Sequence, residues 1–171
     1  MAHRQLHPDS RWLLALLAAL VALGPLSVDM YLPAIPLLQK TWHQPLTILN
    51  LTLVGFFVSY CICLLFYGPL SDRFGRRPPL LVGIGIYILA SLMCGLSNNV
   101  ISLICFRVLQ AAGGASASAL ALAISKDVYQ GHERERVLAY IGVIMALAPM
   151  LAPVLGGWVM IWVSWRWIFV I

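Results

Sequence analysis

Long apolar stretches alternate with short polar segments along this chain. An α-helix needs about 20 apolar residues to cross a bilayer. Five stretches approach or exceed that length: residues 12–38, 48–67, 80–96, 100–124 and 137–163. A sixth apolar stretch begins at Trp167, shortly before the last residue, Ile171. The pattern predicts an all-α membrane protein with a polar tail over residues 1–11 and a transmembrane domain over 12–171, in which five spans are complete and the sixth is truncated.

This ending predicts that the chain is the first part of a longer membrane protein. The alternative is a five-span protein in which Trp165–Ile171 forms a short anchor at the membrane interface.

Composition agrees with the membrane assignment. The chain is 61% hydrophobic and 10% charged, whereas a soluble domain is about 45–50% apolar and 25% charged. The four cysteines lie inside predicted spans without metal-binding spacing. The sequence contains no recognisable nucleophile-and-base arrangement and no phosphate-binding loop, so we expect neither an enzyme nor a cofactor.

The distribution of basic residues predicts the orientation in the membrane. If the N-terminus is cytoplasmic, eight of the eleven basic residues fall on the cytoplasmic side: Arg4, Arg11, Arg73, Arg76, Arg77, Lys126, Arg134 and Arg136. Lys40 and Arg166 fall outside, and Arg107 lies within a span. Lys and Arg concentrate in cytoplasmic loops, so the net charge of +5 indicates membrane orientation rather than nucleic-acid binding.

The stretch "GPLSDRFGRRPP" concentrates charge between the second and third spans. It resembles the signature loop of the major facilitator superfamily, G-x-x-x-D-[RK]-x-G-[RK]-[RK], at Gly68, Asp72, Arg73, Gly75, Arg76 and Arg77. Glycine at position 68 would allow close helix approach, and glycine at position 75 would allow a positive φ. The resemblance implies a gating loop whose partner, Asp127, lies at the cytoplasmic end of span four. We hypothesise a relay from Asp72 through Arg76 to Asp127.

Span four carries an arginine inside the apolar stretch. Arg107 must face a partner or an aqueous cavity, because an arginine at bilayer depth is costly, and Gln110 lies one turn away on the same side. The stretch resembles the superfamily motif R-x-x-Q-G-x-G-x-A, with Ala111 replacing the first glycine. The resemblance implies a role for Arg107 in proton transfer through a nearby carboxylate. The alternative is that Arg107 lies near an interface and extends to it.

Span one contains a single ionisable side chain between Arg11 and Lys40. This residue, Asp29, lies in "GPLSVDMYLPAIP", and an ionisable group inside a membrane span is by default a functional candidate. Three neighbouring prolines remove backbone donors and should loosen the helix: Pro25, Pro33 and Pro36. A carboxylate that merely lies near the outer headgroups is the alternative interpretation.

Span five contains "ALAPMLAPVLGGWV". It resembles the antiporter signature of the superfamily at Pro149, Ala152, Pro153, Gly156 and Gly157, with alanine replacing the glycine before the second proline. The two prolines share one helix face and should bend or loosen the span. The glycines should allow a tightly packed neighbour.

Together these stretches resemble the drug/proton antiporter branch of the superfamily, of the Bcr/CflA multidrug resistance type. The resemblance implies the N-terminal six-helix half of a twelve-span fold in a bacterial inner membrane. It also implies a C-terminal half as partner and export of small amphipathic compounds, driven by the proton gradient. Four residues could line an apolar substrate surface, although ordinary packing is the alternative: Tyr31, Phe56, Tyr60 and Met145. The rival functions are a proton-symporting nutrient importer and a non-transporting membrane fragment.

Overall fold

The computed structural model describes residues 11–170. The described part of the chain consists of six α-helices and two 3-10 turns, so the all-α prediction is confirmed. The α-helices are α1 (Arg11–Asp29), α2 (Ile35–Trp42), α3 (Leu46–Phe74), α4 (Arg77–Gly95), α5 (Val100–Val128) and α6 (Gly131–Trp162). The 3-10 turns cover Leu32–Ala34 and Trp165–Phe169. The predicted tail, apart from Arg11, and Ile171 lie outside the described residues.

Five segments in the described region are long and apolar enough to cross a membrane. The first is Trp12–Trp42, in which α1, the first 3-10 turn and α2 follow one another, and the others coincide with α3, α4, α5 and α6. The predicted number of complete spans agrees with this result. Helices α3, α4, α5 and α6 each extend beyond the predicted apolar stretch at one end at least, because the polar residues there continue the helical hydrogen bonding.

The break in the first span follows from its prolines. Proline lacks an N–H donor and has a fixed φ. Pro33 lies in the first turn of the 3-10 segment and Pro36 in the first turn of α2. Pro25 is accommodated inside α1. The expected loosening therefore occurs between Asp29 and Ile35, a segment that we call the span-one break.

Helix α5 lies at the centre of the bundle. It packs along α3 and α4 and also contacts α1, whereas α6 packs mainly against α1. Small residues make this central position possible, because the segment Ala111–Ala121 is buried almost throughout. Asn99 caps the start of α5 by accepting a hydrogen bond from the Ser102 backbone N–H at 2.8 Å.

The charged stretch between α3 and α4 is mostly helical, which corrects the prediction of a loop. Helix α3 continues to Phe74, and only Gly75 and Arg76 separate it from α4. Gly75 has a φ of +83°, a conformation that favours glycine, so the reversal is confined to this short turn. Pro78 in the first turn of α4 has a φ suited to a helix start.

The segment expected to begin a sixth span forms a 3-10 turn over Trp165–Phe169. Three of its side chains, those of Trp165, Ile168 and Phe169, are buried in the largest apolar cluster of the bundle. Trp165 also packs edge-to-face on Trp42, with ring centroids 5.6 Å apart. The turn therefore covers the end of the bundle opposite the turn at Gly75.

Candidate functional site

Arg107 is the centre of the candidate site. Its side chain is completely buried in the bundle, with 0% exposure, so the alternative in which it extends to an interface is wrong. Three aromatic rings surround the guanidinium, whose central carbon lies 4.3 Å from the ring centroid of Tyr31, 5.2 Å from that of Phe56 and 5.1 Å from that of Phe169. A desolvated cation over an aromatic face gains about 2 kcal/mol, which offsets part of the cost of burial.

Two oxygens accept hydrogen bonds from the guanidinium. Nη1 of Arg107 donates to the backbone carbonyl of Ser27 at 2.8 Å and to Oε1 of Gln110 at 3.0 Å. Its Nε and Nη2 atoms have no hydrogen-bond partner among the described residues. The two residues that the sequence placed on one side of span four, Arg107 and Gln110, are thus brought together.

The Ser27 carbonyl is available because the first span changes its hydrogen-bond pattern there. In a regular α-helix this oxygen would accept from the N–H of Tyr31. At the span-one break the Tyr31 N–H instead donates to the carbonyl of Val28 at 3.2 Å. Arg107 therefore binds an oxygen that the break has released.

Asp29 lies beside this contact but does not join it. It is the last residue of α1 and is partly exposed. Within residues 11–170 its carboxylate takes part in none of the side-chain hydrogen bonds or ion pairs of the chain. The structure thus places Asp29 two residues from the carbonyl that Arg107 binds, without direct pairing of the two charges.

The four residues considered as cavity lining differ in their exposure. Tyr31 and Phe56 are buried against Arg107 and face no open cavity in the described bundle. Tyr60 is partly buried, donates to Oγ of Ser118 at 2.6 Å and stacks on Phe56. Met145 is 46% exposed on α6. Only Met145 therefore has a substantially open surface.

A charged cluster, formed by Asp72, Arg76 and Asp127, lies at the other end of the bundle. Nε of Arg76 donates to Oδ2 of Asp127 at 2.8 Å, and Nη1 donates to Oδ1 of Asp72 at 2.7 Å. Nη1 also donates to Oγ of the buried Ser71 at 2.5 Å. The hydrogen bond to Asp127, followed by the charge of Asp127 and the contacts with Asp72, raises the pKa of Arg76 above its ordinary value. The cluster joins the end of α3, the start of α4 and the end of α5.

The other residues of the signature stretch have different surroundings. A Cβ atom on Gly68 would have no neighbour within 4 Å in the described structure, so this glycine does not mediate the close helix approach that we expected. Arg73 lies over the ring of Phe74, 5.3 Å from its centroid. Arg77 is the exposed first residue of α4.

The proline and glycine residues of the antiporter-like stretch in α6 differ in their packing. A Cβ on Gly156 would lie 2.2 Å from the carbonyl oxygen of Met30, whereas one on Gly157 would have open space. Ala152 is fully buried in the cluster beneath the second 3-10 turn. Pro149 is exposed and Pro153 half-buried, and α6 remains helical through both. The tight packing expected of the glycine pair thus belongs to Gly156 alone.

Several residues of the site were not singled out by any sequence pattern. They are Ser27, Ser71, Tyr87, Ser91 and Phe169, which contact Arg107, Gln110 or Arg76 directly or through one hydrogen bond. A serine inside an apolar stretch is a weak signal, since its hydroxyl can bond to its own helix.

These features define a bundle of membrane-length helices with a buried cation at a broken span and an ionic cluster at one end. The family model of the Major Facilitator Superfamily matches residues 15–171. The chain belongs to this superfamily and is a multi-pass membrane protein.

Curated relatives extend the comparison. The chain is 37% identical to an uncharacterized MFS-type transporter of Bacillus subtilis, over 99% of the chain and 42% of the relative. It is 35% identical to a chloramphenicol resistance protein of Pseudomonas aeruginosa, over 92% and 39%. It is 30% identical to multidrug resistance protein D of Escherichia coli, over 91% and 39%. The chain therefore spans between 39% and 42% of the length of these relatives.

Proposed function

We propose that the complete protein containing this chain exports small amphipathic compounds in exchange for protons, as a drug/proton antiporter of the Bcr/CflA type. Relatives named for chloramphenicol and multidrug resistance support the substrate class. The observation that carries the proposal is the buried Arg107, which binds the Ser27 carbonyl beside Asp29. In this proposal Asp29 takes up the proton, and Arg107 with Gln110 holds the surrounding break.

The proposed orientation follows from the basic residues. With a cytoplasmic N-terminus in a bacterial inner membrane, the charged cluster lies on the cytoplasmic side. There the contacts of Arg76 with Asp72 and Asp127 would tie α3, α4 and α5 together while the cytoplasmic entrance is closed. Opening of that entrance would separate them. The substrate cavity would form between this half and a C-terminal six-helix half.

The sign of a pH gradient tests the exchange. The complete protein is reconstituted in liposomes, and the accumulation of chloramphenicol, an uncharged probe, is measured with an acidic or an alkaline lumen. Antiport predicts accumulation with the acidic lumen, because protons leave as the probe enters. Accumulation only with the alkaline lumen would establish symport and contradict the proposal.

Two variants connect the exchange to the site. Asp29→Asn should abolish the gradient-driven component and Asp29→Glu should retain part of it, because only the latter keeps a titratable carboxyl group. Protein-free liposomes give the passive leak. If neither chloramphenicol nor the lipophilic cation tetraphenylphosphonium is driven by either gradient, the chain fits the non-transporting alternative.

A further inference from the structure

Helix α4 contacts both hydrogen-bond acceptors of Arg107. Tyr87 and Ser91 are four residues apart on α4, and residues at this spacing share one face of a helix. The Tyr87 hydroxyl lies 2.6 Å from Oγ of Ser27, and Oγ of Ser91 lies 2.7 Å from Nε2 of Gln110. Ser27 and Gln110 are the two residues whose oxygens accept from Arg107.

Ser91 holds the Gln110 amide in the orientation that Arg107, which can only donate, requires. A glutamine side chain has one accepting oxygen and one donating nitrogen. Nε2 donates to Ser91, so Oε1 faces the guanidinium of Arg107. Rotation of the amide by half a turn would present an N–H group to the cation instead. Ser91 is 5% exposed and Gln110 is 1% exposed, so water does not readily replace either partner.

The contact between Tyr87 and Ser27 has a defined direction as well. The Ser27 hydroxyl donates its only hydrogen to the carbonyl of Leu23, at 2.5 Å. Its oxygen must therefore accept from the Tyr87 hydroxyl. This bond attaches the residue whose carbonyl binds Arg107 to the face of α4 that carries Ser91.

We propose that Tyr87 and Ser91 are positioning residues for Arg107, which act through Ser27 and Gln110 and make α4 the support of the buried cation. This inference deepens the proposed function, because it names further residues on which proton-coupled transport depends. The hydrogen bonds among these residues do not depend on transport, so the inference and the proposed function can fail separately.

The transport test uses the complete protein in liposomes, with chloramphenicol as the probe under an acidic lumen. Loss of one buried hydrogen bond predicts that Ser91→Ala and Tyr87→Phe each lower kcat about fivefold, with KM changed less than twofold. Ser91→Thr keeps the hydroxyl and should restore kcat to within about twofold. Ser125→Ala is the matched control, because Ser125 is a fully buried serine whose hydroxyl donates to the Leu122 carbonyl of its own helix.

A double variant separates positioning from general packing. If Ser91 acts through Gln110, adding Ser91→Ala to Gln110→Ala should produce no further loss of kcat. An additional fivefold loss would overturn the inference. If Ser91→Ala does not fold, Ser91→Cys, which has nearly the same size and is a weak hydrogen-bond partner, replaces it in the same cycle.

A spectroscopic measurement distinguishes this inference from the proposed function. In arginine-labelled protein in nanodiscs, the guanidinium signal that disappears in Arg107→Lys belongs to Arg107. Ser91→Ala and Tyr87→Phe should shift or broaden this signal, and Ser125→Ala should not. If the Arg107 signal changes in the two variants but the unsubstituted protein shows no transport, the positioning role is supported and antiport is rejected. An unchanged signal in both variants would reject positioning, whether or not the protein transports.

Discussion

Gly156 provides the sharpest test of how α6 packs against the first span. A Cβ at this position would lie 2.2 Å from the carbonyl oxygen of Met30 and 3.0 Å from its Cα, whereas real Cβ atoms essentially never approach a neighbour below 3.0 Å. The obstacle is backbone, which cannot rotate away as a side chain would. Gly156→Ala therefore requires α6 and the span-one break to separate by about 1 Å, and overpacking of this kind costs about 1–3 kcal/mol.

The next residue is a matched control. A Cβ on Gly157 would have no neighbour within 4 Å among the described residues. Replacement of a helical glycine by alanine removes backbone entropy from the unfolded chain and stabilises by about 0.5–1 kcal/mol. The two substitutions should thus have opposite effects, although they make the same chemical change one residue apart.

Thermal unfolding of the complete protein in detergent measures this difference. The loss of the monodisperse size-exclusion peak on heating should occur several degrees lower for Gly156→Ala than for the unsubstituted protein. Gly157→Ala should match or exceed the unsubstituted protein. A stability of Gly156→Ala equal to that of the unsubstituted protein would show that α6 does not contact Met30 in this way.

Four further predictions concern the charges and the aromatic turn. Asp29→Asn should remove the response of chloramphenicol transport to a pH gradient. It should leave the unfolding temperature of the complete protein within a few degrees, because the Asp29 carboxylate makes no ion pair among residues 11–170. A large loss of stability would indicate a structural role. Reversal of charge at both Arg76 and Asp127 should recover part of the stability lost in either single reversal, by about 0.5–1 kcal/mol as for an exposed pair, and additive losses would argue against the contact. The pKa of Arg76 is raised in the folded protein, so the stabilisation from its charge is fully present below the ordinary arginine pKa and is lost only as the pH rises through the raised value. A plot of stability against pH should therefore show no step from this group between about pH 5 and 9. Phe169→Ala should lower stability by about 3–5 kcal/mol through loss of apolar burial and a cation–π contact. Trp167→Ala, at an exposed position of the same turn, should lower it much less.

Much of the bundle could be predicted from the sequence, because the information needed is local. Five apolar stretches of membrane length give five spans, and the spacing of Arg107 and Gln110 puts both on one side of α5. The ends of the helices were harder to predict. Polar residues such as Asp72 continue the hydrogen bonding of α3 although they leave the apolar pattern.

The contacts of the site could not be predicted, because they join residues far apart in the chain. Ser27 and Tyr87 are separated by 60 positions and Arg107 and Ser27 by 80. The hydrophobic pattern within one span does not indicate which of its faces meets another helix. The resemblance supplied Arg76 and Asp127 as candidates for one contact, but it offered no indication of Phe169 or Ser91.

Two helices hold the backbone on either side of Asp29 through main-chain oxygens. Arg107 from α5 binds the carbonyl of Ser27, and Gly156 of α6 packs against the carbonyl of Met30. Substitution of side chains in the first span cannot remove either oxygen, so both contacts depend on the path of its backbone. Asp29 lies between the two held positions. A movement of α5 relative to α6 that keeps both contacts would therefore strain the backbone between Ser27 and Met30, where Asp29 is the one acidic side chain of the first span.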